Sequence, residues 1–409
     1  MESTTCCIVG GGPAGAMLGL LLARAGVDVV VLEKHADFLR DFRGDTVHPS
    51  TLELLDELGL AERFAELPQE HAPTLSMVTD EGPVTVAEFS ALRHPHPYIA
   101  FVPQWDFLAM LTDEAGRYPT FTLKMQAEAH DLIREGGRVR GVRYRDRDGE
   151  HELRAQLTVA ADGRHSALRC AAGLTPVGYG VPMDVVWFRL SRRESDPRQE
   201  VALRLVTGGL MAYIGRGTYW QIAYIVLKGG YERLMSAGLD VLRAEIVSRL
   251  PFLADRVGEL ADWNDLSVLD VRIDRLRRWY VPGLLCIGDA AHAMSPVGGV
   301  GINLAIQDAV AAANLLAEPL LRGHTSVDDL AKVQQRREMP AAATQWMQRV
   351  LQARFIGPLL RGTRPPVPPL PARLLSHFRP GRHLIAHLIG VGARPEHVRL
   401  PVPDSVPRG

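Results

Sequence analysis

Residues 6–33 read CCIVGGGPAGAMLGLLLARAGVDVVVLE. Cys6 to Val9 is a short apolar run that meets Gly10, Gly11, Gly12, Pro13, Ala14 and Gly15, a GxGxxG on Gly10, Gly12 and Gly15. Ala14 to Ala25 is rich in alanine, leucine and other strong helix formers, and Gly26 stands where a helix-ending glycine belongs. Val27 to Leu32, apolar but for Asp28, reads as a buried parallel strand, and Glu33 closes it. Strand, tight turn, helix and strand make a βαβ unit. The three glycines serve the turn, the approach of backbone to a pyrophosphate, and close packing of helix on strand. The helix N-terminus then meets the anion with free N–H groups and the positive end of its dipole. Glu33, 18 residues beyond Gly15, lies where a carboxylate accepts hydrogen bonds from an adenosine ribose diol, and it disfavours a 2′-phosphate. Lys34 follows directly and is carried as a candidate beside the simpler reading of a strand-end charge. This segment accepts NAD and FAD alike.

Working outward, 409 residues exceed what one hydrophobic core organises, so two lobes are expected. Hydrophobic residues at 46% and charged residues at 23% exclude wholesale disorder. A formal net charge of -1 offers nothing global to nucleic acid. Cys6 and Cys7 are adjacent, Cys170 and Cys286 far apart, which makes neither a disulfide framework nor a metal spacing; a reducing cytoplasm fits. Neither a signal peptide nor a membrane span is expected.

Two later motifs choose between the dinucleotides. The apolar strand Leu157 to Ala161 ends in Asp162-Gly163-Arg164-His165-Ser166, followed by Arg169, and the strand Leu284 to Ile287 ends in Gly288-Asp289-Ala290-Ala291-His292. Each delivers an aspartate to the carboxyl edge of a parallel sheet, where ligands bind, so two acids there suit a long ligand with several hydroxyls. FAD has a ribityl chain and NAD has none. Beyond Pro296, the run Gly298-Gly299-Val300-Gly301-Ile302-Asn303 opens a second glycine-rich helix, expected from Leu304 to Leu321, whose N-terminus would stabilise negative charge on a reduced flavin.

Taken in order, the GxGxxG with Glu33, DGxxSxxR on Asp162 to Arg169, and GDAAHAMSP on Gly288 to Pro296 resemble the single-component, FAD-dependent aromatic hydroxylases of the p-hydroxybenzoate hydroxylase type. The resemblance implies an α/β fold in which a Rossmann-like FAD-binding domain is interleaved with a mixed or antiparallel substrate sheet, followed by C-terminal helices. The FAD domain is expected from 1–73, 98–182 and 270–350, the substrate sheet from 74–97 and 183–269, and a helical, proline-rich segment from 351–409. Non-covalent FAD is the implied cofactor, with NADH or NADPH as transient reductant and O2 as co-substrate. Gly10, Gly12, Pro13, Ala14 and Gly15 would hold the pyrophosphate, Glu33 the ribose, and Gly288 with Asp289 the ribityl side. Asp162 would serve FAD and the nicotinamide cofactor, and Gly301, Ile302 and Asn303 the isoalloxazine. Arg43 matches an arginine that reaches the FAD phosphates, and Gln104 a residue on the adenosine side. Pro296 is expected to shape the reaction site through backbone rigidity.

The implied reaction is hydroxylation of an aromatic or polycyclic small molecule through a flavin C4a-hydroperoxide, with the protein supplying position and exclusion of water. A saturating reductase of the same fold and a non-catalytic flavin-binding protein stay open as alternatives; the halogenase motif WxWxIP is missing. Between the DG and GD motifs, short runs rich in Val, Ile, Tyr and Trp read as antiparallel sheet. Tyr213 and Gln221 are taken from it as substrate candidates, with Arg189 and Arg216 as weaker ones. His94 and His96 sit beside prolines in a stretch expected as a solvated loop, and no metal site is expected. A homodimer is left open.

Overall fold

The computed structural model describes residues 2–39, 46–197, 201–368, 370, 374 and 378–400. Its largest sheet sets five parallel strands side by side in the order Phe121–Met125, Val29–Glu33, Glu2–Val9, Gly149–Ala160 and Leu284–Cys286, with Tyr280–Val281 antiparallel at one edge. Apolar runs such as Cys6 to Val9 are buried because both faces are covered: by helices Pro13–Arg24, Gln104–Ala115 and Gly301–Leu321, and by an antiparallel extension through Arg138–Asp146 and Glu128–Glu135. Helix Gly301–Leu321 is apolar enough along 21 residues to cross a membrane, but it packs on Pro13–Arg24, with 67% of its most apolar window buried. It behaves as a core helix.

The second sheet has seven strands, ordered Ser267–Leu269, Met183–Ser191, Tyr219–Leu227, Gly209–Arg216, Val201–Val206, Thr74–Thr79 and Gly82–Glu88. Every pairing is antiparallel except Val201–Val206 with Thr74–Thr79, so an early hairpin completes a sheet built mainly from residues 183–269. Period-two alternation splits its side chains. Phe188, Met211, Tyr213, Trp220 and Ile222 pack under helices Gly230–Ala237 and Leu239–Arg249. Val185, Leu205, Leu210, Ala223 and Ile225 face the other way and meet Phe355, Ile356, Leu359 and Leu360 from beyond the long helix Val327–Leu351.

Between the two sheets, Thr46–Val47, Ile99–Phe101 and Glu70–Ala72 form a third small sheet. Ile99–Phe101 lies just beyond 74–97, the early stretch that the sequence assigned to the substrate sheet. The late long helix begins at Val327, because Ser326 and Asp329 close a capping box, each side chain accepting from the other's backbone N–H. The last helix spans Arg379–Gly390, one turn earlier than its apolar residues suggest.

Candidate active site

The glycine turn is built by contact. Gly10 has φ +104°, and a Cβ there would lie 2.4 Å from the Ala161 carbonyl oxygen; a Cβ on Gly15 would lie 1.9 Å from that of Gly10. Helix Pro13–Arg24 therefore presses directly on its strand. Gly12 is different: no atom of the described residues lies within 4 Å of a Cβ built there, and the helix it caps has Pro13 in its first turn and no side-chain cap. Open space before an uncapped helix N-terminus fits an anion. Glu33 is 2% exposed and already engaged, its Oε2 accepting from Gly11 N at 2.7 Å and its Oε1 from His35 N at 3.1 Å. Its first task is to fasten the turn to the second strand. Lys34 is exposed beside it, Gln104 is a half-buried first residue of helix Gln104–Ala115, and Arg43 lies outside the described residues.

The two strand-end motifs interlock. Asp162 Oδ2 accepts from Leu168 N at 3.3 Å, while its Oδ1 is buried with no partner among the described residues; burial pushes the carboxyl up, against Ser166 and nearby N–H groups that pull it down. A buried, unpaired carboxylate oxygen among glycines fits a ligand that brings donors, as a dinucleotide does. Arg169, the last residue of DGxxSxxR, donates to Ala290 O at 3.2 Å and to Arg164 O at 2.8 Å, stitching the DG loop to the GD loop. Arg164 in turn donates to Asp289 Oδ2 at 3.1 Å, and the Asp289 side chain stays 30% exposed. Gly288 has φ +58°, and a Cβ there would touch Ala14 and Ala305 at 3.3 Å, so the two glycine-led helices converge on it.

Beneath this point lies a charge network. Fully buried Asp308 accepts from Gly288 N at 3.0 Å, pairs with His292 Nε2 at 2.6 Å, and accepts from Arg337 Nε at 3.1 Å. Burial alone would raise its carboxyl, but His292, Arg337 and the Gly288 N–H together hold it below the ordinary range. The network fixes the GD turn to helices Gly301–Leu321 and Val327–Leu351.

Pro296 sits in a loop gripped by amides. Gln348 Nε2 donates to Ser295 O and Val297 O, both at 2.9 Å, and its Oε1 accepts from Ser295 N at 3.2 Å. Gln345 Nε2 donates to Asp274 O at 2.8 Å and Ala293 O at 2.9 Å, and Gln352 Nε2 donates to Ser295 Oγ. Spaced three and four residues apart, these glutamines form one buried stripe facing the loop. Sequence reasoning missed them; the signal was a row of polar amides on a helix that has to pack.

Gly301, Ile302 and Asn303 form the first turn of Gly301–Leu321, which has no side-chain cap. The Asn303 amide, expected at an isoalloxazine, is instead saturated by protein. Its Oδ1 accepts from His48 N at 2.9 Å and Thr51 Oγ1 at 2.8 Å, and its Nδ2 donates to Thr46 O at 3.2 Å and Gly299 O at 3.3 Å. With every hydrogen-bonding position of that amide used, only the backbone of Asn303 is left for a ligand. Tyr213, a substrate candidate from the sequence, is turned away from the sheet face that meets Val297. It lies on the helix-covered face, edge-to-face with Trp220 at 5.5 Å and Phe252 at 5.7 Å, because strand alternation turns it away. Gln221 is 1% exposed on the opposite face and accepts from Arg216 Nε at 3.0 Å, with the Arg216 guanidinium 5.6 Å from the Phe101 ring centroid. Arg189 pairs with Gln221 across the strands and is exposed.

His94 and His96, expected in a solvated loop, dock on helix Pro49–Leu58 through Glu53 at 3.2 Å and Asp56 at 2.6 Å. On the same helix, Glu57 accepts from Val398 N at 2.7 Å and pairs with His397 Nδ1 at 2.6 Å, which ties down the C-terminal tail.

The FAD-binding domain family matches residues 3–349. The chain is 34% identical over 358 residues to 6-methylpretetramide 4-monooxygenase of Streptomyces rimosus, covering 86% of this chain and 84% of that protein. It superposes on the anhydrotetracycline hydroxylase OxyS of Streptomyces rimosus with TM-score 0.75 at 26% identity, over 99% of this chain and 78% of that one. Pseudomonas aeruginosa PqsL in complex with 2-aminobenzoylacetate shares the fold, with TM-score 0.75 at 20% identity over 88% of this chain and 98% of that one. With the glycine turn, both strand-end acids and the interleaved sheets in place, the chain belongs to the FAD-binding domain family and is a flavoprotein monooxygenase with the fold of the aromatic hydroxylases.

Proposed function

We infer that the chain hydroxylates a planar polycyclic aromatic compound, with NADH or NADPH as reductant and O2 as the oxygen source. One observation carries this reading: Val297, next to Pro296, packs in the same cluster as Trp187, Leu203, Ala212 and Ala223, on the face of the second sheet turned away from helices Gly230–Ala237 and Leu239–Arg249. Ala212 and Ala223 are direct cross-strand partners, flanked by Leu203 and Trp187, so small side chains stand mid-sheet opposite the loop. Such a floor admits a flat ring system and excludes water. Similarity to a 6-methylpretetramide 4-monooxygenase over most of both chains supports the polycyclic class.

FAD, when bound, supplies the activated oxygen that an electron-rich ring receives. This chain's residues bind and orient. The turn at Gly10, Gly12 and Gly15 takes the pyrophosphate, Asp162 and Asp289 take donors along the cofactor, and Arg164 holds the Asp289 carboxylate in place. Gln345, Gln348 and Gln352 keep the Pro296 loop from shifting, and Gln221 offers a polar group on the substrate face. The same reading assigns 1–73, 98–182 and 270–350 to the cofactor domain and 74–97 with 183–269 to the substrate sheet.

The test is product analysis. The purified yellow protein, given NADPH or NADH, 18O2 and a panel of polycyclic phenols, should place one labelled oxygen in a product. Consumption of reductant with hydrogen peroxide alone, across the whole panel, would reject the reading.

A further inference from the structure

His48 ends the strand Thr46–Val47 and caps helix Pro49–Leu58. It is 1% exposed, and both ends of the residue are fixed by bonds. Its backbone N–H donates to Asn303 Oδ1 at 2.9 Å, tying it to the start of the flavin-side helix. Its ring Nδ1 lies 2.8 Å from the Ile389 carbonyl oxygen in the last helix. A carbonyl only accepts, so Nδ1 carries the hydrogen and, in the neutral ring, Nε2 presents a lone pair. That Nε2 is buried and has no donor among the described residues. A buried acceptor without a partner is costly, and native proteins rarely keep one that nothing ever fills.

The surroundings indicate what fills it. Ile389 packs with Phe89, Phe101 and Ala386 in an apolar cluster that also takes Leu75, Val201 and Ile214 from the second sheet. Ile214 and Ala212 point to the same side of their strand, the side that meets Val297. Thr46, two residues before His48, donates to Gly299 O at 2.8 Å in the loop after Pro296. His48 thus stands where the cofactor-side loop, the sheet face and the last helix meet, and the ring's own bonds set its lone pair as an acceptor.

We propose that His48 Nε2 accepts the hydrogen bond of a ring hydroxyl on the aromatic substrate, which orients the ring and raises its electron density toward oxygen transfer. The assignment rests on the polycyclic-hydroxylase reading above. It requires a substrate that carries a phenol, since a ketone or ether offers this nitrogen no donor.

The experiment compares binding of 2-hydroxyanthraquinone with anthraquinone, which lacks only the hydroxyl, to FAD-loaded protein by quenching of intrinsic fluorescence. Wild type should prefer the phenol by about tenfold, the worth of one buried hydrogen bond. His48→Asn keeps a donor at the δ position for Ile389 O but has no ε nitrogen, so it should lose that preference while keeping flavin content and melting temperature. His48→Gln, with an acceptor at the ε position, should recover part of it. Equal binding of both probes by wild type, or an undiminished preference in folded His48→Asn, overturns the role of His48 alone. Binding of neither probe by wild type overturns the polycyclic-aromatic reading of the site and this assignment with it.

Discussion

Replacing Gly15 with alanine puts a methyl carbon 1.9 Å from the Gly10 carbonyl oxygen. To restore an ordinary contact the helix has to retreat by about 1.5 Å. Gly10 cannot yield: its N–H donates to Leu32 O at 2.8 Å, and its own α-carbon faces the Ala161 carbonyl. Overpacking of this kind costs about 1–3 kcal/mol. The displaced helix also carries the N–H groups that would meet the pyrophosphate, so the cost appears in FAD affinity as a loss of about 10- to 100-fold. Gly12→Ala separates the two effects. No atom of the described residues lies within 4 Å of its added methyl, so apoprotein melting should stay unchanged, yet the methyl occupies the space the pyrophosphate would enter. Titration of apoprotein with FAD, followed by flavin fluorescence, gives affinity, and circular dichroism gives the melting temperature. The expected pattern is both readouts lost for Gly15→Ala and affinity alone lost for Gly12→Ala. Wild-type FAD affinity in either variant would refute the account of the turn.

Asp289→Ala removes a carboxylate expected on the flavin and leaves Arg164 without that partner; the protein should purify pale or colourless, and full yellow colour would count against the assignment. Gln348→Leu keeps volume but strands Ser295 N–H, Ser295 O and Val297 O, costing about 3 kcal/mol in denaturant unfolding and diverting more NAD(P)H to hydrogen peroxide. Asp308→Asn leaves buried Arg337 short of its counter-charge and should destabilise by about 3–5 kcal/mol, measured the same way. Burial lowers the His48 imidazole from its ordinary 6.5 to about 4, against the pull of its bond to Ile389. Between those values the unfolded chain binds a proton that the folded one does not. The contribution is therefore present above pH 6.5 and lost as pH falls toward 4, by about 3 kcal/mol in all. Urea unfolding of His48→Asn across this range should show a flatter pH dependence than wild type, and identical slopes would contradict a buried neutral ring.

How much of this was legible in the sequence follows from the range of the interactions. The βαβ unit could be read because its demands are local: three glycines within six residues, a helix-forming run, and an acid at the next strand's end. The aspartates at 162 and 289 were legible because an apolar strand breaking into Asp-Gly or Gly-Asp marks a carboxyl edge. The face taken by Tyr213 was not legible because its neighbours Ala212 and Ile214 are apolar too, and with both faces of the sheet covered, alternation does not say which face meets the loop. Asn303 was legible as a helix-start residue, while its four partners come from Thr46, His48, Thr51 and Gly299, three of them some 250 residues away. His48 carried no signal, since its meaning depends on a carbonyl 341 residues later.

The groups that fix the reaction loop are neutral, and that choice has a physical consequence. Gln345 and Gln348 satisfy the backbone from Ala293 to Val297, Gln352 holds the Ser295 hydroxyl, and Asn303 satisfies Gly299 and the Thr46–Thr51 segment, all with side-chain amides that are nearly fully buried. Charged side chains could make the same contacts, but a fixed charge in a dry site shifts the energy of any charge that forms nearby. A buried ionic cluster is instead held beneath the GD turn, where Arg337 lies between Asp308 and Glu396 and His292 bonds Asp308. The two uncapped helix starts, at Pro13 and Gly301, add fields that favour negative charge. A flavin gains negative charge when reduced, so holding the loop with amides leaves the backbone dipoles free to act on it. Exchanging Gln348 for glutamate, nearly the same shape with one added charge, should therefore lower the flavin's reduction potential in loaded protein, whereas Gln348→Leu should disturb coupling with little change in potential.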